Sequence, residues 1–232
     1  MRNTLVVLCI AAVVVARLCP ATVSAQADPR VGRDVETGMA LAARMRHAEA
    51  LEYWNRALAA NPKAAPVLTR RCLSYHELGE DAKALADCNA AIGLDPRLAL
   101  AYRFRGTICL ERGRGEACLT DLETSLRLDS GDPYALTKRA LLYERLRRFS
   151  RAHRDYTRAL AMVPGDAAIW SLRGNLARIM GNLLQASSDL QRAIEVDPED
   201  ADAWRLLSLV KREQGDGAGA AAALARAAAV ER

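Results

Sequence analysis

From residue 31 onward, apolar positions recur with helical spacing in short blocks separated by turn residues. In residues 167–200, Trp170, Arg173, Gly174 and Ala177 stand at i, i+3, i+4 and i+7, one face of a helix. Gly181 and Asn182 interrupt that face, because glycine reaches positive φ and ends a helix at low cost. Ala186, Leu190, Ala193 and Ile194 then share the face of a second helix. Pro198 stops it by withholding the N–H that a continuing helix needs. Each helix spans about three turns, too short to be stable alone in water. The small residues Gly174, Ala186 and Ala193 let the two helices pack closely, and Trp170 and Leu190 require apolar neighbours beyond the pair.

This unit recurs every 34 residues without insertion or deletion, as units 31–64, 65–98, 99–132, 133–166, 167–200 and 201–232. Counting from each unit's first residue, place four carries Leu68, Tyr102, Leu136, Trp170 and Trp204. Place eight carries Gly38, Cys72, Gly106, Ala140, Gly174 and Ser208; place twenty carries Ala50, Ala84, Cys118, Ala152, Ala186 and Ala220. Place twenty-seven is Ala or Ser throughout, and place thirty-two is Pro62, Pro96, Pro164 and Pro198, with Ser130 the exception. Unit one has Asp34 where the large residue belongs and reads as a polar cap, which a terminal repeat can tolerate.

Period and places together resemble the tetratricopeptide repeat (TPR) family, whose signature W…LG…Y…A…F…A…P runs over the same period. The resemblance covers nearly all of the chain after residue 30. It implies an all-α fold, a TPR-like right-handed superhelical solenoid of antiparallel helix pairs. Its first helices would line a concave groove that binds a protein or peptide. On that geometry places two, five, six, nine, twelve and thirteen face the groove. The groove-binding candidates are Arg70, Arg103, Phe104, Tyr134, Lys138, Asn175, Arg178 and Arg205. The floor mixes apolar residues with a basic line, and Glu77, Glu111, Glu144 and Glu213 stand toward one rim. A peptide with apolar anchors and some acidic residues fits such a floor; ordinary helix charges paired along their own helices are the other reading. One groove of this family captures a C-terminal carboxylate with a Lys/Asn/Lys/Arg clamp. Only Asn175 matches a clamp place here, while Ser171, Asp202 and Leu206 do not, so that mode is rejected.

Comparing copies reveals a second regularity. Place seven is Arg71, Arg105, Arg139 and Arg173, and place twenty-three is Asp87, Asp121, Asp155 and Asp189. Units one and six have neither residue. An unpaired arginine on a packed face is costly, so the two places are expected to form structural ion pairs, within a unit or between adjacent units. A basic ligand stripe is the alternative.

Residues 1–25 differ from the rest: Arg2, an apolar run from Leu5 to Ala16, and small residues at Val23, Ser24 and Ala25. They read as a secretory signal peptide, with an apolar run too short to span a bilayer, which takes about 20 residues. An uncleaved anchor is the rival reading. The expected address is periplasmic or secreted, with 26–30 a disordered lead-in and 31–232 a single solenoid. Cleavage removes Arg2 and Arg17 and no acid, lowering the net charge from +5 to +3. That balance is too weak to argue for nucleic acid, and no membrane contact is expected after cleavage.

Four cysteines follow the leader: Cys72, Cys88, Cys109 and Cys118. The repeat frame sets Cys72 opposite Cys88 and Cys109 opposite Cys118, the preferred pairing where the compartment permits disulfides. Reduced cysteines packing as small core residues are equally compatible. His76 shares a face with Cys72, but further ligands at metal spacing are lacking, so no metal or other cofactor is expected. His47 and His153 read as surface residues. No G-x-S-x-G, phosphate-cradling loop or HExxH occurs, and no catalytic residue is assigned. The alanine-rich run 217–230 ends the chain with an apolar helix where a polar cap is usual. It is a candidate surface for homo-oligomerisation, and with an uncleaved leader it gives the alternative of a self-associating or membrane-associated structural scaffold, beside the main expectation of a non-catalytic interaction module.

Overall fold

The computed structural model describes residues 29–113 and 115–231. The leader read over 1–25 and its cleavage point lie outside them. Among the described residues the architecture is all-α, with twelve helices and no strand. They run α1 Pro29–Ala42, α2 His47–Ala60, α3 Ala65–Glu77, α4 Asp81–Leu94, α5 Ala99–Glu111 and α6 Ala117–Leu128. The series continues with α7 Pro133–Arg145, α8 Phe149–Met162, α9 Ala167–Ile179, α10 Leu183–Val196, α11 Ala201–Glu213 and α12 Gly217–Val230. From α3 onward each odd-numbered helix begins on the first residue of a repeat unit. α1 is helical from Pro29, so the stretch read as a disordered lead-in is already helix over its last two residues.

Turn chemistry explains these boundaries. Place fifteen has positive φ in every unit: Met45, Gly79, Gly113, Arg147, Gly181 and Gly215, between 55° and 82°. Glycine adopts that conformation without penalty, whereas Met45 and Arg147 hold it against the clash of Cβ. Asp132, Asp166 and Asp200 cap α7, α9 and α11 by accepting from backbone N–H groups of the first turn, and Asn182 and Asp216 do the same for α10 and α12.

The chain divides into two compact units between Ile108 and Cys109. In the first, Trp54 is fully buried among Ala50, Ala57, Leu68, Ala91 and Ala101. Its indole N–H donates to Ser74 Oγ at 3.1 Å. In the second, Leu136, Tyr156 and Leu176 anchor one cluster, and Leu190, Leu207 and Val210 another. Where place twenty-four is large, place eight is small. A Cβ on Gly174 would lie 2.9 Å from Leu190 Cγ, and one on Gly38 would lie 2.9 Å from the Trp54 ring. No described helix is long and apolar enough to cross a membrane.

Candidate functional site

The repeat register dictates which side chains stand clear of the packed faces. In the first unit, Arg70 lies on α3, half-buried, and its side chain makes no hydrogen bond, ion pair or ring contact with any described residue. Burial alone holds its guanidinium below the usual arginine range. Arg103, on α5, places its guanidinium 5.0 Å from the Phe104 ring centre. Phe104 itself is only 7 % exposed and belongs to the core with Cys72, Ala84, Cys88 and Ile108. The assignment of Phe104 to the groove floor is therefore corrected. Its unit-two neighbour at place twenty-four is the small Cys88, where other units carry Trp54, Leu122, Tyr156 or Leu190, and the Phe104 ring supplies the missing volume.

In the second unit the candidate cations are compensated by acids. Lys138 Nζ lies 3.4 Å from Glu111. Arg178 donates to Glu213 at 2.8 Å and, through Nε and Nη2, to Asn175 Oδ1. Arg205 pairs with Asp202 at 2.8 Å and with Glu231. The basic line read from sequence is thus, in this unit, a row of ion pairs: Glu111 and Glu213 reach Lys138 and Arg178 from neighbouring first helices, and Arg205 is held by Asp202 of its own helix and by Glu231 after α12. Glu144 is the exception among the rim acids of this unit. It accepts from Tyr156 Oη at 2.6 Å, and desolvation raises its pKa above the ordinary glutamate value. On the same helices, Tyr134, Ile179 and Leu209 present exposed apolar surface from α7, α9 and α11.

The arginines of place seven do different work. Arg71, Arg139 and Arg173 each donate through Nε and Nη2 to both oxygens of Asp87, Asp155 and Asp189, at 2.7–2.9 Å. A third N–H reaches the preceding pair: Arg71 to Asn55 at 2.8 Å, Arg105 to Asn89 at 2.8 Å, Arg173 to Thr157 at 3.1 Å. One guanidinium thereby ties its own second helix to the one before. Bidentate geometry satisfies both members, which a half-buried charge requires. Arg105 and Asp121 fall on opposite sides of the division at Ile108, and each has interactions of its own.

Cys72 and Cys88 are joined by a disulfide across α3 and α4, Cα–Cα 5.6 Å. Cys109 and Cys118 are joined between α5 and α6, Cα–Cα 5.4 Å. His76 Nδ1 sits 2.9 Å from Asp81 Oδ1, and no described cluster of His, Cys, Asp and Glu is arranged to hold a metal. His47, expected at the surface, is buried with its Nδ1 3.5 Å from Ser74 Oγ, and burial lowers its pKa. The repeat offered a partial signal: place seventeen, which His47 occupies, carries Phe149 and Leu183 in two later units, though Asp81, Gly115 and Gly217 in the others.

A tetratricopeptide repeat profile matches residues 35–99, 137–183 and 174–232, more than half of the chain. No curated protein sequence matches. Among solved structures, a chain of the APC/C hetero-tetramer Cut9–Hcn1 superposes with TM-score 0.79 at 19 % identity, over 97 % of this chain; the chain spans only 43 % of it. PilW, a type IV pilus biogenesis factor, gives 0.76 at 17 % identity over 85 % of this chain and 91 % of its own. YrrB, described as a TPR protein with an unusual peptide-binding site, gives 0.63 at 20 % identity over 76 % and 91 %. At these identities the likeness is one of fold.

Proposed function

The chain belongs to the tetratricopeptide repeat family, and from that premise we propose that it is a non-catalytic interaction module holding a protein or peptide partner in a groove lined by its first helices. The observation that carries this reading is the first-helix surface of the second unit. There Tyr134, Ile179 and Leu209 stand exposed on α7, α9 and α11, the helices that carry Lys138, Arg178 and Glu213 of the pairs Lys138–Glu111 and Arg178–Glu213. Apolar anchors framed by satisfied polar groups are the anatomy of a recognition surface. Replacing the exposed anchors, Ile179→Glu with Leu209→Glu, tests it. Partner capture falls while the helical circular dichroism is unchanged; equal capture by the variant counts against the groove.

We place the protein outside the cytoplasm, periplasmic or secreted. The leader-like residues 1–25 and the two disulfides support that address. N-terminal sequencing of the exported protein reads a start at Gln26 on this account, and a start at Met1 contradicts it. A second reading is self-association through α12, favoured by Leu224, half exposed within the alanine run. Light scattering at rising concentration separates the two, because a strictly monomeric protein excludes self-assembly.

A further inference from the structure

Every other described lysine or arginine that is at least half-buried has a partner, either a carboxylate, an amide, a hydroxyl or a ring. Arg70 has none. A guanidinium cannot shed its proton to escape burial, and its five N–H donors need acceptors. The neighbours on its own helix face are Pro66 and Val67, one turn before, and Leu73 and Ser74, one turn after; only Ser74 carries an acceptor, and its fully buried hydroxyl already receives the Trp54 indole N–H. Glu77, two turns on, is exposed and forms no pair with it. The fold therefore keeps a planar, bidentate donor framed by apolar surface, where a charge-assisted hydrogen bond is stronger than in open water.

We infer that Arg70 is the anchor for an acidic side chain, Asp or Glu, of a bound peptide, flanked in that peptide by apolar residues that pack on Pro66 and Leu73. This rests on the groove reading above and names the chemistry that the first unit selects. A free C-terminal carboxylate is the less fitting source. Its capture in grooves of this kind uses several further donors, and the places next to Arg70 carry proline and leucine. In the second unit the cations are already paired, so a partner's acid has no comparable vacancy among Lys138, Arg178 and Arg205.

The test is selection of a random dodecapeptide library, displayed with both peptide ends blocked, on the full chain and on its Arg70→Met variant. The wild type enriches peptides with Asp or Glu beside apolar residues, and Arg70→Met keeps the apolar preference but loses the acid. Changing that Glu to Gln in a selected synthetic peptide weakens binding to wild type about tenfold and leaves binding to Arg70→Met unchanged. Amidating the peptide's C-terminus has no effect. Thermal melting guards against a folding artefact: Arg70→Met melts at or above the wild-type temperature, because an unpaired half-buried charge has been removed. A lower melting temperature assigns Arg70 a structural role and overturns the inference. Equal acid enrichment by both proteins, or enrichment without acids, overturns it while leaving the groove reading intact. Failure of the wild type to enrich any peptide overturns the groove reading and this inference with it.

Discussion

Arg173 and Asp189 face each other across α9 and α10, with Nε and Nη2 of the arginine each donating 2.8 Å to a different carboxylate oxygen. Asp189 is 1 % exposed, so the pair stands or falls as a unit. Asp189→Ala leaves a half-buried guanidinium with no carboxylate, only the Thr157 hydroxyl and the Trp170 ring, and is expected to cost about 3–5 kcal/mol in urea unfolding. Adding Arg173→Met to that variant restores much of the loss, since it removes the orphaned charge. A double variant as unstable as Asp189→Ala would show that the arginine acts through packing alone.

Place fifteen makes a prediction of the opposite sign. Arg147 holds φ at 55° where glycine stands in four of the other five units. Its side chain lies 5.5 Å from the Phe149 ring centre, an exposed contact of small value. Arg147→Gly is expected to raise stability by about 1 kcal/mol, and Gly181→Ala to lower it by a similar amount. Denaturation midpoints at constant slope check both.

Glu144 ties stability to pH. Its folded pKa is raised, chiefly by desolvation and against the Tyr156 hydrogen bond. A raised carboxyl contributes its stability below the unfolded value of 4.5 and loses it as pH climbs through the folded value. Glu144→Gln keeps an acceptor for Tyr156 and removes the charge. The variant is therefore more stable than wild type at pH 7, and the difference closes on acidification to about pH 4. Melting curves across that range decide it; a difference that persists unchanged at pH 4 refutes the assignment.

The two disulfides are expected to differ in access. Cys72 and Cys88 are both fully buried, whereas Cys109 is partly exposed beside the turn at Gly113 and Gly115. Thiol exchange requires the attacking thiolate to reach a sulfur. Low concentrations of dithiothreitol open Cys109–Cys118 first, read by alkylation and mass spectrometry. Replacing Cys72 and Cys88 together with alanine costs about 3 kcal/mol, the value for a loop of that length.

The helix pairs were legible because small places eight, twenty and twenty-seven recur beside large ones in register, and packing of α9 against α10 depends on that contrast. Phe104 was misplaced because a place-by-place reading sees one helix at a time. Its ring is drawn inward by the small Cys88 on the neighbouring pair, a volume that no single unit reveals. His47 was misplaced for want of comparison with Phe149 and Leu183. The compensation of Lys138 by Glu111, and of Arg178 by Glu213, joins residues 27 and 35 positions apart on different first helices, beyond the reach of the within-helix spacing rule.

The central claim is that the first helices form the partner-binding surface. Site-specific photo-crosslinking tests it most directly, with benzoylphenylalanine introduced singly at Tyr134 and Ala168 on first helices and at Arg158 and Arg192 on second helices. All four positions are exposed. Irradiation of cells producing each variant is predicted to yield adducts with another protein from Tyr134 and Ala168 and none from Arg158 or Arg192. Adducts of equal strength from the second helices, or adducts formed only with a second copy of the chain, would contradict the account.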